Sequence, residues 1–292
     1  MTATIDPNDL TGTRTALRDV LHRAAVTVRG LYENRRFSVE TKDDNTPLTT
    51  ADLAANEILR AGLREIDPDA GWLSEENEDT DARLKCERVW IVDPIDGTRE
   101  FVDRTGGYSI SVGLAINGRA DLGGVALPQE NIIVVGARGA GIEVWRYAAD
   151  GSDGFERIPG ALIADETAPD LKDARILVSV SESKRGAYAS VADELKLQPT
   201  GSIARKLALV AMGRADLVVS LYPKNEWDIC GGAALIECQP NAGMIELEHG
   251  QGQRYNRANP ATIGLAAGPA GLVRQFEQYS KMKKLVLRHN YD

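Results

Sequence analysis

The sequence predicts a mixed α/β protein in two lobes, an N-terminal α+β lobe over residues 1–155 and a C-terminal α/β lobe over 156–292. Three observations carry that prediction: two helical periodicities before residue 67, a run of short strands broken by turns from Val89 to Trp145, and an alternation of strands with helices after a polar stretch at residues 149–173.

The elements follow in order. Leu17, Val20, Leu21, Ala24, Ala25, Val28, Leu31 and Tyr32 recur at intervals of three and four, which places an amphipathic helix over 10–33. A second helix begins near Thr49 and Thr50, where Thr49 and Asp52 have the spacing of a capping box. It carries Leu53, Ile58, Leu59 and Leu63 on its apolar face and stops before Asp67-Pro68. Strands are expected at 89–92, 109–116, 122–127, 132–135 and 142–145, joined as an antiparallel meander through turns such as Asn117-Gly118. Next come a strand at 175–180, helices at 188–195 and 202–212, a strand at 216–221 and a helix at 228–238. Strands at 243–246 and 261–267 and a last helix at 270–282 complete the chain.

Composition narrows the function classes. A chain of 292 residues that is 43% hydrophobic can build a substantial core. No stretch approaches the ~18 continuous apolar residues of a membrane span, and the first thirty residues lack a signal-peptide core, so a cytoplasmic protein without a membrane partner is expected. Cys86, Cys230 and Cys238 are odd in number and lack metal-type spacing, which argues against a disulfide framework and a zinc site. A net charge of -9 disfavours a nucleic-acid polymer as partner. It also means that a small phosphorylated substrate would need local cations.

The most informative segment is Trp90 to Phe101, WIVDPIDGTREF. An apolar strand there ends at Asp93 and Asp96, with Pro94 stiffening the turn. Like charges in a partly dry site repel, so one acid is protonated, or a divalent cation holds both ionised, or the segment is a capped turn with solvated acids. Mg²⁺ prefers oxygen donors of this kind. Gly97 permits close backbone approach, and Thr98 offers a hydroxyl and an amide at what reads as the first turn of a short helix. Ser74-Glu75-Glu76-Asn77 and Trp227-Asp228 add further acids, for which surface acids and a plain helix N-cap are the plain alternatives.

Taken in order, Lys42 to Asp52 (KDDNTPLTTAD), Leu73 to Glu76 (LSEE), Trp90 to Phe101 and Trp227 to Gly232 (WDICGG) resemble the inositol monophosphatase superfamily, and Gly201-Ser202, Leu207 to Gly213 and Tyr255-Asn256 extend the likeness over nearly the whole chain. The Arg99-Glu100-Phe101 ending, the LSEE form and the lysine-containing stretch before Thr46-Pro47 look most like the 3′(2′),5′-bisphosphate nucleotidase branch, which acts on adenosine 3′,5′-bisphosphate (PAP), a by-product of sulfate activation. The resemblance implies a layered αβαβα sandwich and a lithium-sensitive phosphomonoesterase using two or three Mg²⁺ ions. It releases the 3′-phosphate by attack of water, with inositol or sugar monophosphates as the alternative substrates. It further implies that Glu75, Asp93 and the Ile95 carbonyl hold one ion, that Asp93, Asp96 and Asp228 hold a second, and that Glu75 helps to place a third. Asp52 and Thr98 would orient the attacking water, Gly97 and Thr98 amides would hold the phosphate, and Gly201, Ser202 and Lys206 would line the substrate pocket. Lys184 or Arg185 would meet a second phosphate, and relatives include monomers and homodimers. Arg205 and Lys206 also fit a plain solvated helix face. Cys230-Gly231-Gly232 departs from the usual small-residue pattern and is expected to serve close helix packing.

Other assignments fit poorly. An aspartyl-nucleophile loop needs an acid two residues before Asp96, where Pro94 stands. Gly136 to Gly141 (GARGAG) lacks the dinucleotide spacing and reads as a hairpin turn, and no lysine-containing phosphate loop is present. His22, His249 and His289 are expected to be structural or solvated, and Cys230 to be a small core residue.

Overall fold

The computed structural model describes residues 5–6, 9–42, 46–148, 152, 154–160 and 168–289. Its first layer is a pair of packed helices, α1 (Thr11–Asn34) and α2 (Thr50–Ile66), linked through the short antiparallel strands β1 (Val39–Thr41) and β2 (Pro47–Thr49). The apolar stripe of α1 is buried as its spacing requires. Thr49 caps α2, and Asp52 returns the bond to the Thr49 amide. Leu53 departs from expectation: it is 45% exposed, because the buried stripe runs through Ala51, Ala55, Leu59 and Leu63 instead.

These helices cover a seven-stranded sheet of β3 (Gly71–Ser74), β4 (Arg88–Asp96), β5 (Ser109–Ile116), β6 (Arg119–Leu127), β7 (Ile132–Ala137), β8 (Gly141–Tyr147) and β9 (Phe155–Ile158), in chain order. Strands β4 to β9 form an antiparallel meander, and β3 lies parallel to β4. Every residue of β5 is buried, since helices cover both faces of this sheet, and its sequence SISVGLAI accordingly lacks a polar alternation.

The middle layer is α5 (Ile203–Ala211) and α6 (Glu226–Glu237). It separates the first sheet from a six-stranded one in the order β11 (Leu197–Thr200), β10 (Ile176–Ser179), β12 (Leu217–Asn225), β15 (Ala261–Pro269), β13 (Ala242–Glu246), β14 (Gln251–Gly252). A final helix, α7 (Ala270–Lys283), packs on the outer face of this second sheet. Three apolar clusters fill the spaces between the five layers. This is the αβαβα sandwich.

The small residues of α6 set the spacing of the middle layer. A Cβ on Gly231 would stand 2.7 Å from Ser111 Oγ and 2.8 Å from the Val112 carbonyl, and one on Gly123 would stand 2.3 Å from the Gly231 carbonyl. Helix and sheet backbones therefore meet with no room for a methyl group. Cys230 is fully buried against Gly113, as a core thiol.

Short strands that the sequence did not announce, among them β3 and β9, add to the sheets, and the second half of the chain holds two further departures from expectation. Residues 188–195 form successive turns rather than a helix, because Gly186 takes a left-handed φ of 75° and Tyr188 is drawn into the core by the Glu182 carboxylate. The helical turn precedes it, as α4 (Val180–Lys184). Strand β11 was hidden by Pro199, which an edge strand tolerates.

Candidate active site

A regular strand turns residues three apart to opposite faces. Asp93 and Asp96 therefore belong on opposite sides of β4, yet both line one cleft of about 200 Å³. The cause is a bulge. Asp93 pairs with Ser111 and Asp96 with Ser109, so three steps along β4 span two along β5. The strand thus does not end at Val92, as the turn chemistry of Pro94 suggested, but continues to Asp96. Gly97 then takes a φ of 93° and starts α3 (Thr98–Val102).

Each acid is anchored by a different element. Asp93 Oδ1 accepts the Ile95 amide at 3.0 Å. Asp52, buried in the first turn of α2, accepts the Thr49 amide at 2.8 Å through Oδ2, and the Thr98 hydroxyl lies 3.3 Å from its Oδ1 and 3.0 Å from the Ile95 carbonyl. Asp96 Oδ2 accepts the Ser202 hydroxyl and the Ala204 amide, each at 2.6 Å. Ser202 holds this geometry at a left-handed φ of 54°, a conformation rare for a residue with a Cβ, and its hydroxyl also accepts the Arg205 amide at 2.9 Å and meets Ser109 Oγ at 2.8 Å. Asp228 is the third residue of α6, not its cap: Asn225 caps the helix, and Asp228 Oδ2 accepts the Asn225 amide at 2.7 Å. Glu75 follows β3, where Lys42 Nζ donates to Glu75 at 2.9 Å and to Glu76 at 2.8 Å.

Burial and mutual repulsion show in the acidities. Desolvation, then the charges of Glu75, Asp96 and Asp228, raise Asp93 well above the ordinary carboxylate range. Burial lifts Asp228 to about 8, with Asp96 and Glu75 adding to it. Asp96 is held at about 6, burial outweighing its bonds to Ser202 and Ala204, and Asp52 also lies at about 6 for the same leading reason. Buried carboxylates that repel each other in this way form a hard-oxygen donor set whose ionisation a divalent cation would relieve. The residues fit Mg²⁺.

Among the described residues, only Glu246, Glu248 and His249 bring three potential ligand atoms within 4.8 Å of one another, and that solvent-facing trio shares no residue with the cleft. The cleft acids are spaced more widely than a single tight chelate.

The acidic cleft opens into two further chambers. One of about 170 Å³ is bounded by Asp96, Asp228, Ser202, Lys206 and Lys224, and another of about 440 Å³ by Arg99, Glu100, Lys184 and Gly201. Lys206 is only 2% exposed and donates to the Thr200 carbonyl at 3.0 Å, so it is not on a solvated face. Burial brings its ammonium down to about 8. Arg205 turns away to Glu130 at 2.7 Å, and the Arg185 guanidinium lies 5.7 Å over the Tyr222 ring. His22 packs edge-on against Tyr147 and Phe155, while His249 and His289 are exposed.

The fold therefore brings together Asp52, Glu75, Asp93, Ile95, Asp96, Gly97, Thr98 and Asp228, with Gly201, Ser202 and Lys206 beside them. Sequence reasoning did not single out Glu182 or Lys224, and it took the lysine-containing stretch before Thr46-Pro47 as a sign of the branch without foreseeing the Lys42 bonds to Glu75 and Glu76. A lysine immediately before two aspartates was a signal for Lys42, and its place three residues before Trp227 was one for Lys224. Glu182 had none, because an acid near a helix start is ordinary.

Residues 9–256 match the model of the inositol monophosphatase family. The chain belongs to that family. It is 33% identical over 205 residues to the Escherichia coli 3′(2′),5′-bisphosphate nucleotidase CysQ, an alignment covering 68% of this chain and 76% of that protein. Among solved structures, CysQ from Bacteroides thetaiotaomicron, described as a bacterial member of the inositol monophosphatase family, superposes with a TM-score of 0.72 at 25% identity, covering 90% of this chain and 99% of that one. The suhB extragenic suppressor protein of Bartonella henselae shares the fold at a TM-score of 0.73 and 21% identity, over 92% and 98% of the two chains. As an inositol monophosphatase family member, the protein is a phosphoric monoester hydrolase acting on small phosphorylated substrates. No helix among the described residues is long and apolar enough to cross a membrane.

Proposed function

We propose that the protein removes the 3′-phosphate of PAP, giving AMP and phosphate, with Mg²⁺ as its cofactor. The supporting observation is the resemblance to the nucleotidase CysQ over two thirds of the chain. The trough agrees with a substrate of two phosphates, because acids line one end while Lys206 and Lys224 line the chamber beside it.

In this reading Glu75, Asp93, the Ile95 carbonyl, Asp96 and Asp228 would hold the ions. When bound, Mg²⁺ supplies positive charge that lowers the pKa of water and steadies the attacking and leaving oxygens of an in-line displacement. The protein supplies position. The Thr98 hydroxyl donates its one hydrogen between the Ile95 carbonyl at 3.0 Å and Asp52 Oδ1 at 3.3 Å, which leaves Thr98 Oγ1 as acceptor to orient the nucleophilic water. Burial, which keeps Asp52 at about 6, suits it to take up a proton near neutral pH. The Gly97 and Thr98 amides, at the start of α3, would hold the non-bridging oxygens of the phosphate. Ser202 and Ala204 fix the plane of Asp96, and Gly201 and Lys206 border the part of the trough that takes the rest of the substrate.

The test is phosphate release from PAP, inositol 1-phosphate and fructose 1,6-bisphosphate, each with and without Mg²⁺. PAP is expected to give the highest kcat/KM, and only with the ion. A preference for either of the other two substrates removes the nucleotidase assignment.

A further inference from the structure

Glu182 is fully buried in α4, directly after Ser181 and two residues before Lys184, which both face the trough. Its carboxylate is saturated with donors from three places: the Tyr188 hydroxyl at 2.6 Å, the Ser220 hydroxyl at 2.6 Å and the Leu221 amide at 2.9 Å, and the Lys224 ammonium at 3.1 Å. A buried ion pair costs desolvation on both sides and is weak evidence of a stabilising role. Its use is to be sought in what the cation does.

Lys224 stands near the end of β12 with 8% of its surface exposed, and it lines a chamber together with Lys206, Ser181, Ser202, Asp96 and Asp228. The next residue, Asn225, gives its amide to Asp228, so the ammonium is registered to the acidic cleft by one continuous piece of backbone. Two ammonium groups converge on this small chamber. Lys206 is tethered to the Thr200 carbonyl, and Lys224 donates both to the Pro223 carbonyl at 3.0 Å and to Glu182 at 3.1 Å, Glu182 being the opposite charge that holds it. The Pro223 carbonyl belongs to the adjacent residue and carries no full charge, so removing the carboxylate takes away the opposite charge that offsets the repulsion between the two ammonium groups and fixes the direction of the flexible lysine stem.

We propose that Glu182 is a positioning residue for substrate recognition: it holds the Lys224 ammonium in the chamber next to the acidic cleft, where Lys224 meets the phosphate that the enzyme does not cleave. The proposal rests on the bisphosphate reading above. Glu182 touches no substrate and acts only through Lys224, which makes the two residues energetically inseparable.

The experiment is a double-mutant cycle of Glu182→Gln and Lys224→Gln, reading KM and kcat on PAP and on adenosine 3′-phosphate, with thermal midpoints and the Mg²⁺ activation constant measured in parallel. Either single change is expected to raise KM for PAP about tenfold, the size of one lost charge contact, with kcat within about twofold. The double variant is expected to match the worse single variant, and Glu182→Gln to leave KM for the monophosphate within about twofold. Glu182→Asp keeps the charge but withdraws it by one methylene, and is expected to fall between wild type and Glu182→Gln; it also serves if Glu182→Gln does not fold. Additive effects on KM, equal losses on both esters, or a changed Mg²⁺ constant with an unchanged KM each overturn the proposal. A wild-type enzyme that does not prefer PAP to the monophosphate overturns the bisphosphate reading itself, and the proposal with it; preference for PAP with additive effects overturns the proposal alone.

Discussion

Stripping divalent ions from this protein and raising the pH should weaken the fold, and restoring Mg²⁺ should strengthen it. Asp96 titrates at about 6 in the folded chain against an ordinary 3.8, and Asp228 at about 8. The folded state thus binds these protons more tightly than the unfolded one, so stability is fullest below the unfolded value near 4 and is lost as pH rises through the folded values. Each pH unit of displacement is about 1.4 kcal/mol, so ionising Asp96 alone costs on the order of 3 kcal/mol. The acids share one repulsion and cannot simply be added, which puts the loss between pH 4 and 8 at about 3–6 kcal/mol. For a chain of this size that is a fall in thermal midpoint on the order of 10 °C. Glu76 and Glu237, both raised to about 7 chiefly by burial, work in the same direction, while Lys206, lowered to about 8, works in the opposite direction above pH 8 and closes the window there. Mg²⁺ at a hundred times its dissociation constant returns about 2.7 kcal/mol. The assay is differential scanning fluorimetry from pH 5 to 8 in EDTA or in Mg²⁺. A metal-free midpoint that stays level or climbs across that range, or no gain from Mg²⁺ at pH 8, would refute the reading of the cleft as a cation cage.

Asp93→Asn is expected to remove at least ~99% of turnover, as loss of a ligand proposed for the ions should, while the metal-free midpoint at pH 8 stays level or rises because a buried acid crowded by Glu75, Asp96 and Asp228 is replaced by a neutral amide; kinetics beside calorimetry decides, and near-wild-type turnover counts against the assigned role. Ser202→Ala deletes a helix cap, worth about 1 kcal/mol, and a hydroxyl bond to a buried carboxylate, worth about 1.5–3 kcal/mol. It also leaves a methyl-bearing residue at a φ of 54°. Urea denaturation should show a loss of about 2–4 kcal/mol together with weaker Mg²⁺ activation, and an unchanged midpoint would mean that Asp96 does not depend on this serine.

Most of the elements were legible because their signals are local. The three-and-four stripe from Leu17 to Tyr32 needs only a helix to make a face, and Thr49 with Asp52 makes a capping box from four adjacent residues. Leu53 and residues 188–195 escaped because the choice lay with partners: the packing surface under α2, and the bonds that hold Tyr188 to Glu182 and to Val219 of the second sheet. The branch-level resemblance located the acids but not their supports. Lys42, Glu182 and Lys224 act through neighbours 33 to 42 positions away, a distance at which residue type alone carries no signal.

The sequence by itself determined the family and most of the order of helices and strands, and it singled out carboxylates that the fold gathers around one cleft, since periodicity, capping and motif order are written along the chain. Only the tertiary structure decided that Asp93 and Asp96 share a face. An interval of three in a strand points two side chains apart, and one extra residue opposite Ser109 to Ser111 reverses that outcome. The same holds for Ser202, strained on the second half of the chain to steady an aspartate from the first: a hydrogen bond between residues 106 positions apart exists only once five layers have been stacked.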